Sequence, residues 1–379
     1  MSFKNLLLNI YKNLLENTNK KMLEKTEATG FPLMIVPYRG YGTKNFMYCR
    51  GRLLKDKGIV ASIKHSTWQN LKNTYKRFES DEISCGILNL NFQNADYELV
   101  TNKEGYFMLQ RAVELEVEHD GKMWHKTDLT LLEAEEDFES EVRATGEIMF
   151  PAEDADFGVI SDLDDTLIQT NVTSKIKMIY TSIAKNAYTR MAFRGVPAFY
   201  WALKTGKNGK KQNPLFYVSN SPWNLYDMLV EFMDINHIPK GPILLRDFGR
   251  HKGAERLDYK NHKRNEIEYI LETYPKMKFI LIGDSGEKDA DIYLEMTHKF
   301  PNRILAIYIR SVNDEKRDER IKQLAKTSEN VPLILIKDSL EAAKHAAENE
   351  WISKENLAKV YQSMHIVKDD MIDAWFDEE

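Results

Sequence analysis

The sequence predicts an α/β plus β protein: an N-terminal β-sandwich-like domain followed by a doubly wound parallel sheet with a small helical insertion. Three observations predict it. After residue 152, six short apolar runs are separated mostly by stretches of helical spacing, the signature of a parallel sheet covered by helices. Before residue 151, strand-length runs follow one another with turn residues between them, which fits a sandwich. In the second half, carboxylates and small polar residues close the apolar runs, where open parallel sheets bind ligands.

Residues 1–29 come first. Phe3, Leu6, Leu7, Ile10, Tyr11, Leu14 and Leu15 mark one face of an amphipathic helix. Leu6-Leu7-Leu8 stops at Asn9, too short for the core of a signal peptide. Two readings stand: a helix lying on a membrane surface, or one packed on its own protein.

The β-domain, 30–151, carries strand-like runs at 32–38, 45–54, 83–92, 97–101, 106–113, 124–132 and 142–150. Residues 62–80 read as a helix or long excursion. Glu133, Glu135, Glu136, Asp137, Glu139 and Glu141 read as a solvated loop. No catalytic constellation appears in this domain. It either binds or positions something, or simply packs on its neighbour, and the sequence names no protein partner for it.

The α/β domain, 152–343, has strands at 157–161, 215–219, 243–245, 279–282, 304–309 and 333–336, with the first expected at the centre. An insertion at 167–213 holds Ile176, Ile179, Tyr180, Ile183 and Ala187 at helical spacing, then Phe199, Tyr200 and Trp201 in a second helix. Lys175, Lys177, Lys185, Arg190 and Arg194 make it basic. It reads as a cap suited to an anionic lipid headgroup, or as an ordinary insertion with inward-facing aromatics. The tail, 344–379, looks helical and ends in acids.

Composition fits a soluble globular enzyme. The 379 residues are 42% hydrophobic and 29% charged, which excludes a disordered chain. A net charge of −5 gives no reason to expect nucleic-acid binding. Cys49 and Cys85 are the two cysteines, so a disulfide scaffold is not expected and a reducing, cytoplasmic setting fits. No run reaches the length of a membrane span, so any membrane contact is expected to be peripheral.

Four strand-end elements carry chemistry. Asp162-Leu163-Asp164-Asp165-Thr166 crowds acids after a buried run, and like charges there resist ionising together. A divalent cation relieves that, and oxygen ligands of this kind suit Mg2+ in phosphoryl chemistry. Asp162 is then a candidate nucleophile; the alternative is an acidic helix cap. Ser219, before Asn220 and Ser221, can donate to a phosphate oxygen or cap a helix. Lys263 starts a helix, where the dipole disfavours it, so it reads as a phosphate-holding cation or a surface lysine. Gly283-Asp284-Ser285-Gly286-Glu287-Lys288-Asp289 closes a strand: glycine permits close backbone approach, and Asp284 adds a metal ligand. Asp289 either binds the metal as well or orients Asp284. A tight capped turn is the alternative.

Together these elements resemble the haloacid-dehalogenase-like phosphohydrolases in residue type, order and strand-end context. The segments Phe216 to Tyr226, Gly241 to Asp247 and Ile282 to Asp289, with Tyr38 to Thr43 and Arg50-Gly51-Arg52, resemble the catalytic-domain family of the actin-patch phosphatidate phosphatase. That resemblance runs from about residue 30 to about 340. It implies a Mg2+-dependent phosphatase in which Asp162 forms an aspartyl-phosphate and Asp164 is acid and then base. It also implies that Asp162, Asp164, Asp284 and Asp289 serve the metal. Thr166, Ser219, Asn220 and Lys263 hold the substrate phosphate. The expected reaction is phosphatidate to diacylglycerol at a membrane surface. A soluble phosphomonoester, or a non-catalytic adaptor role for the β-domain, is the alternative. Glu287 departs from the glutamine expected in its loop, and Asn220 from a small residue.

Overall fold

A computed structural model describes residues 32–56, 82–115, 121–138, 141–152, 154–163, 194–246, 261–328 and 330–365. The expected N-terminal helix, the 62–80 stretch, Asp164, Thr166, the basic residues 175–190 and the acidic end at 369–379 lie outside the described residues.

The first half forms β1 (Leu33–Pro37), β2 (Gly40–Thr43), β3 (Phe46–Lys55), β4 (Ile87–Phe92), β5 (Ala95–Val100), β6 (Tyr106–Ala112), β7 (Trp124–Glu133) and β8 (Arg143–Met149). Alternation drives these strands: in β4, Leu88, Leu90 and Phe92 are buried while their neighbours are half-buried. The hydrogen-bonded order is β1-β3-β2-β8-β7-β4-β5, with β6 on β3. Hydrogen bonds link the described strands into one eight-stranded sheet. Leu33, Met47, Leu90, Leu99, Phe107, Leu129 and Ile148, drawn from seven of its strands, share one core. The strand Gly40-Tyr41-Gly42-Thr43 falls between the expected runs at 32–38 and 45–54. Its glycines are needed for close pairing: a Cβ on Gly40 would lie 2.4 Å from the Tyr48 carbonyl oxygen.

The second half forms β9 (Gly158–Asp162), β10 (Leu215–Pro222), β11 (Ile243–Arg246), β12 (Phe279–Asp284), β13 (Ile304–Arg310) and β14 (Leu333–Ile336). Its helices are α1 (Val196–Thr205), α2 (Tyr226–Ile235), α3 (His262–Thr273), α4 (Asp289–Lys299), α5 (Glu315–Thr327), α6 (Ser339–Glu348) and α7 (Lys354–His365). The sheet order is β11-β10-β9-β12-β13-β14 and every pairing is parallel. The first strand is central, as expected. Strand residues alternate between two cores. Val159, Tyr217 and Ile280 share one with α1, α2, α6 and α7; Ile160, Phe216 and Leu281 share the other with α3, α4 and α5.

In the described part of the insertion, α1 buries Phe199 and Tyr200 in the core, and the Tyr200 hydroxyl lies 2.6 Å from the Ser161 hydroxyl. Residues 167–193, the rest of the expected cap, lie outside the described residues. At the expected boundary near 343, α6 runs on to Glu348, and Ala342, Ala343 and Ala346 share a core with Val360 of α7.

The two halves meet through aromatic rings. Tyr38 stacks on Trp223 at 5.1 Å and on Tyr226 at 4.1 Å between ring centres. The Arg39 N–H donates to the Tyr226 hydroxyl at 2.7 Å, and the Tyr274 hydroxyl donates to the Gly42 carbonyl at 3.1 Å. Arg50 lies 4.6 Å above the Trp223 ring, and Tyr41 meets Phe216 edge-on. Such ring pairs add to the area they bury. They fix the β-domain against the segment that follows Ser219.

Candidate active site

Three parallel strands deliver the site. Asp162 ends β9 and pairs in register with Val218 of β10, so Ser219 stands one residue beyond it. On the other side, Ser161 pairs with Ile282 of β12, which carries the chain on to Asp284. The chain order reverses on either side of β9, and a crevice opens at the carboxyl ends of strands at such a point.

Asp162, Asp284 and Asp289 are buried and offer carboxylate oxygens all within 4.8 Å of one another. Lys263 enters from the first turn of α3 and is itself buried. Its Nζ donates to Asp289 Oδ1 at 2.6 Å, Asp162 Oδ1 at 2.8 Å and Glu287 Oε2 at 3.0 Å. The misfit of a lysine at this helix start is thereby accounted for: its charge is matched by acids outside the helix.

The loop after β12 orients Asp284. Its Oδ1 accepts from the N–H groups of Gly286 at 2.5 Å and Glu287 at 3.0 Å. Its Oδ2 is buried and receives no hydrogen bond among the described residues. A buried acceptor of this kind is costly unless something else satisfies it. Asp289 has both oxygens engaged, one by Lys263 and one by the Asp284 N–H at 3.2 Å. Glycine at 283 is required by that arrangement: a Cβ there would lie 2.5 Å from Asp289 Oδ2. What approaches the backbone closely is thus the Asp289 carboxylate.

Ser219 is buried, and its Oγ accepts the Ser221 N–H at 2.9 Å, a local turn bond. Asn220 Nδ2 donates to Glu287 Oε2 at 3.0 Å. Of the expected site residues, the structure brings Asp162, Lys263, Asp284 and Asp289 into one cluster and links Asn220 to it through Glu287. Asp164 and Thr166 lie outside the described residues. Glu287, which the sequence marks as a departure whose added negative charge retunes metal or phosphate binding, is a participant in the cluster. Its spacing after Asp284 was the available signal.

The acids of the cluster outnumber the one lysine that faces them. Burial would lower the Lys263 pKa, but Asp162, Asp289 and Glu287 together raise it well above the usual value. The acids cannot all ionise against one lysine. Burial raises Asp162 despite Lys263, and burial with the Asp162 charge pushes Asp284 up to about 9. The donor set is all oxygen, and the orphaned Asp284 Oδ2 is part of it. Such a set fits Mg2+.

A pH dependence follows. A carboxyl whose folded pKa is raised holds a proton that the unfolded chain has released, so stability falls as pH rises between the two values. For Asp284 that window runs from about 4 to about 9. With chelator present, the melting temperature is expected to fall as pH rises across that window. Added Mg2+ should flatten the fall. A chelated protein with the same pH profile as the Mg2+-supplemented one would contradict this.

A parallel sheet with a buried acid–lysine cluster at its point of reversal defines an α/β protein with a candidate site at the carboxyl ends of its central strands. A family model described as the catalytic domain of phosphatidate phosphatase APP1 matches residues 157–311. Over 162 residues the chain is 36% identical to phosphatidate phosphatase APP1 of Saccharomyces cerevisiae, covering 42% of this chain and 27% of that protein. An uncharacterized protein of Schizosaccharomyces pombe, C29B5.04c, is 28% identical over 236 residues, covering 62% of this chain and 38% of its own length. The chain thus spans well under half the length of these curated relatives. Among solved structures, a carbohydrate acetylesterase from Xanthomonas citri aligns over 70% of this chain and 66% of its own at 7% identity, but its TM-score of 0.25 carries no argument. Residues 157–311, which hold every described residue of the cluster, are thus similar to the APP1 phosphatidate phosphatase catalytic domain.

Proposed function

We propose that this chain is a magnesium-dependent, haloacid-dehalogenase-like phosphomonoesterase that converts phosphatidate to diacylglycerol and phosphate through an aspartyl-phosphate. The observation that supports it most is the gathering of Asp162, Lys263, Asp284 and Asp289 at the carboxyl ends of β9 and β12, inside the family-matched segment. We place the reaction on the cytoplasmic side of a membrane, with the enzyme peripheral to it.

Asp162 is the nucleophile. Lys263 grips one of its oxygens at 2.8 Å and fixes the carboxylate. The Asp162 carboxylate attacks phosphorus, and the bond from phosphorus to the glycerol oxygen breaks. Asp164, by the family resemblance, protonates that leaving oxygen. It then takes a proton from the water that hydrolyses the aspartyl-phosphate and regenerates Asp162. Ser219, Thr166, Asn220 and Lys263 hold the remaining phosphate oxygens by fixed dipoles and charge. Asp162, Asp164 and Asp284 would hold Mg2+, which supplies positive charge between carboxylates and phosphate. Asp289, with both oxygens engaged, positions Lys263 and Asp284.

Phosphate release measured across phosphatidate micelles and water-soluble phosphomonoesters tests this reading. Chelation is expected to stop release and Mg2+ to restore it. Full activity after exhaustive metal removal would refute the metal site. By calorimetry, Asp284→Ala should weaken Mg2+ binding by more than about tenfold, beyond the lower range for outer partners. Ser219→Ala should change it little. Rapid hydrolysis of soluble esters without vesicle binding would remove the lipid reading and keep the phosphatase.

A further inference from the structure

Glu287 sits where two phosphate-holding groups converge. Its Oε2 accepts from Lys263 Nζ and from Asn220 Nδ2, each at 3.0 Å. Lys263 comes from α3 and Asn220 from β10, so these donors reach one oxygen from separate elements. An anion oxygen bound to a protein receives this pattern of converging charged and polar donors. The loop that orients Asp284 delivers the carboxylate, since the Glu287 N–H is tied to Asp284 Oδ1 at 3.0 Å. The side chain is only 10% exposed.

We propose that Glu287 is an internal competitor for the phosphate group, sharing Lys263 and Asn220 with it and thereby setting how tightly the site holds substrate and product. This rests on the phosphatase reading above. First, a phosphate oxygen can take the Lys263 and Asn220 hydrogen bonds only by displacing Glu287 Oε2 or sharing the donors with it. Second, Lys263 already faces Asp162, Asp289 and Glu287, so its single charge is divided among acids. A phosphate arriving beside a fixed carboxylate meets like-charge repulsion inside a buried site, where screening by water is weak. Weak retention of inorganic phosphate favours product release, at the expense of ground-state substrate affinity.

Glu287→Gln isolates the charge. The amide keeps the size of the side chain and an oxygen that can accept from Asn220, but it removes the negative charge. The test is calorimetric titration of inorganic phosphate into Mg2+-supplemented wild type, Glu287→Gln and Lys263→Met, joined to KM and kcat for one soluble phosphomonoester. Glu287→Gln should bind phosphate about tenfold tighter, a difference of about 1.4 kcal/mol. Its KM should fall, and kcat should not rise in proportion. Lys263→Met should lose phosphate binding. Phosphate binding by Glu287→Gln no tighter than wild type overturns the proposal while leaving the phosphatase reading intact. Wild-type phosphate affinity in Lys263→Met removes the phosphate site itself, and the proposal with it. If Glu287→Gln does not fold, Glu287→Ala takes its place with the same expected direction.

Discussion

Asp162→Asn is expected to abolish turnover while leaving the protein folded. The substitution keeps the shape of the side chain, which is buried at the end of β9. It removes the carboxylate that would attack phosphorus. An amide is a poor nucleophile, and loss of a covalent nucleophile costs on the order of 10⁶ in kcat in a well-studied protease. A fall of at least about 10⁴ is the expectation here. Folding should survive, because burial already disfavours the Asp162 charge. Lys263 also keeps Asp289 and Glu287 as partners. A purified variant that turns over phosphatidate or a good soluble ester near the wild-type rate would show that Asp162 is not the nucleophile.

Lys263→Met should produce the largest loss of stability. The side chain is 3% exposed and contacts three acids, Asp162 at the end of β9 and Glu287 and Asp289 after β12. Methionine fills similar volume but leaves those acids without their cation. Removing one partner from a buried ionic cluster costs about 3–5 kcal/mol. With chelator at neutral pH, the denaturant midpoint should fall accordingly. The deficit should shrink when the pH is lowered, because the acids then take up protons. Mg2+ should recover part of it. A variant as stable as wild type in chelator at neutral pH would mean that Lys263 does not hold the cluster together.

Much of the catalytic half could be read from its sequence because its strands are short apolar runs with nothing else to be. Leu215 to Val218 and Phe279 to Ile282 are buried on both faces, and such strands read as continuous hydrophobic runs. The acids at their ends followed from position alone. Long-range partnerships were less accessible. Lys263 and Asp162 are separated by 101 residues, and no local pattern announces that pairing. Gly283 was read as space for a ligand, yet its neighbour is Asp289, visible only once the loop folds back. In the β-domain, alternation gave the strands but not their order, since β3 pairs with β1, β2 and β6. Pairing of that kind depends on where a long strand bends. The α1 aromatics show a further limit: Phe199, Tyr200 and Trp201 are consecutive, so composition cannot say which face the protein covers. The sheet buries Phe199 and Tyr200, and Trp201 donates its indole N–H to the His237 carbonyl.

The ring stack of Tyr38, Trp223 and Tyr226 separates two meanings of the word domain. The stretch that relatives share, 157–311, is a unit of inheritance. Its packing does not stop at those limits. Cut out alone, it would bare the faces of Trp223 and Tyr226 and the edge of Phe216 to water, along with the Tyr274 hydroxyl that now reaches Gly42. It would also lose α6 and α7, which close the core over α1. A gene that moved only the catalytic stretch to a new setting would have to carry a substitute for those surfaces. Transfer of this stretch between architectures would thus be constrained by hydrophobic surface as much as by chemistry.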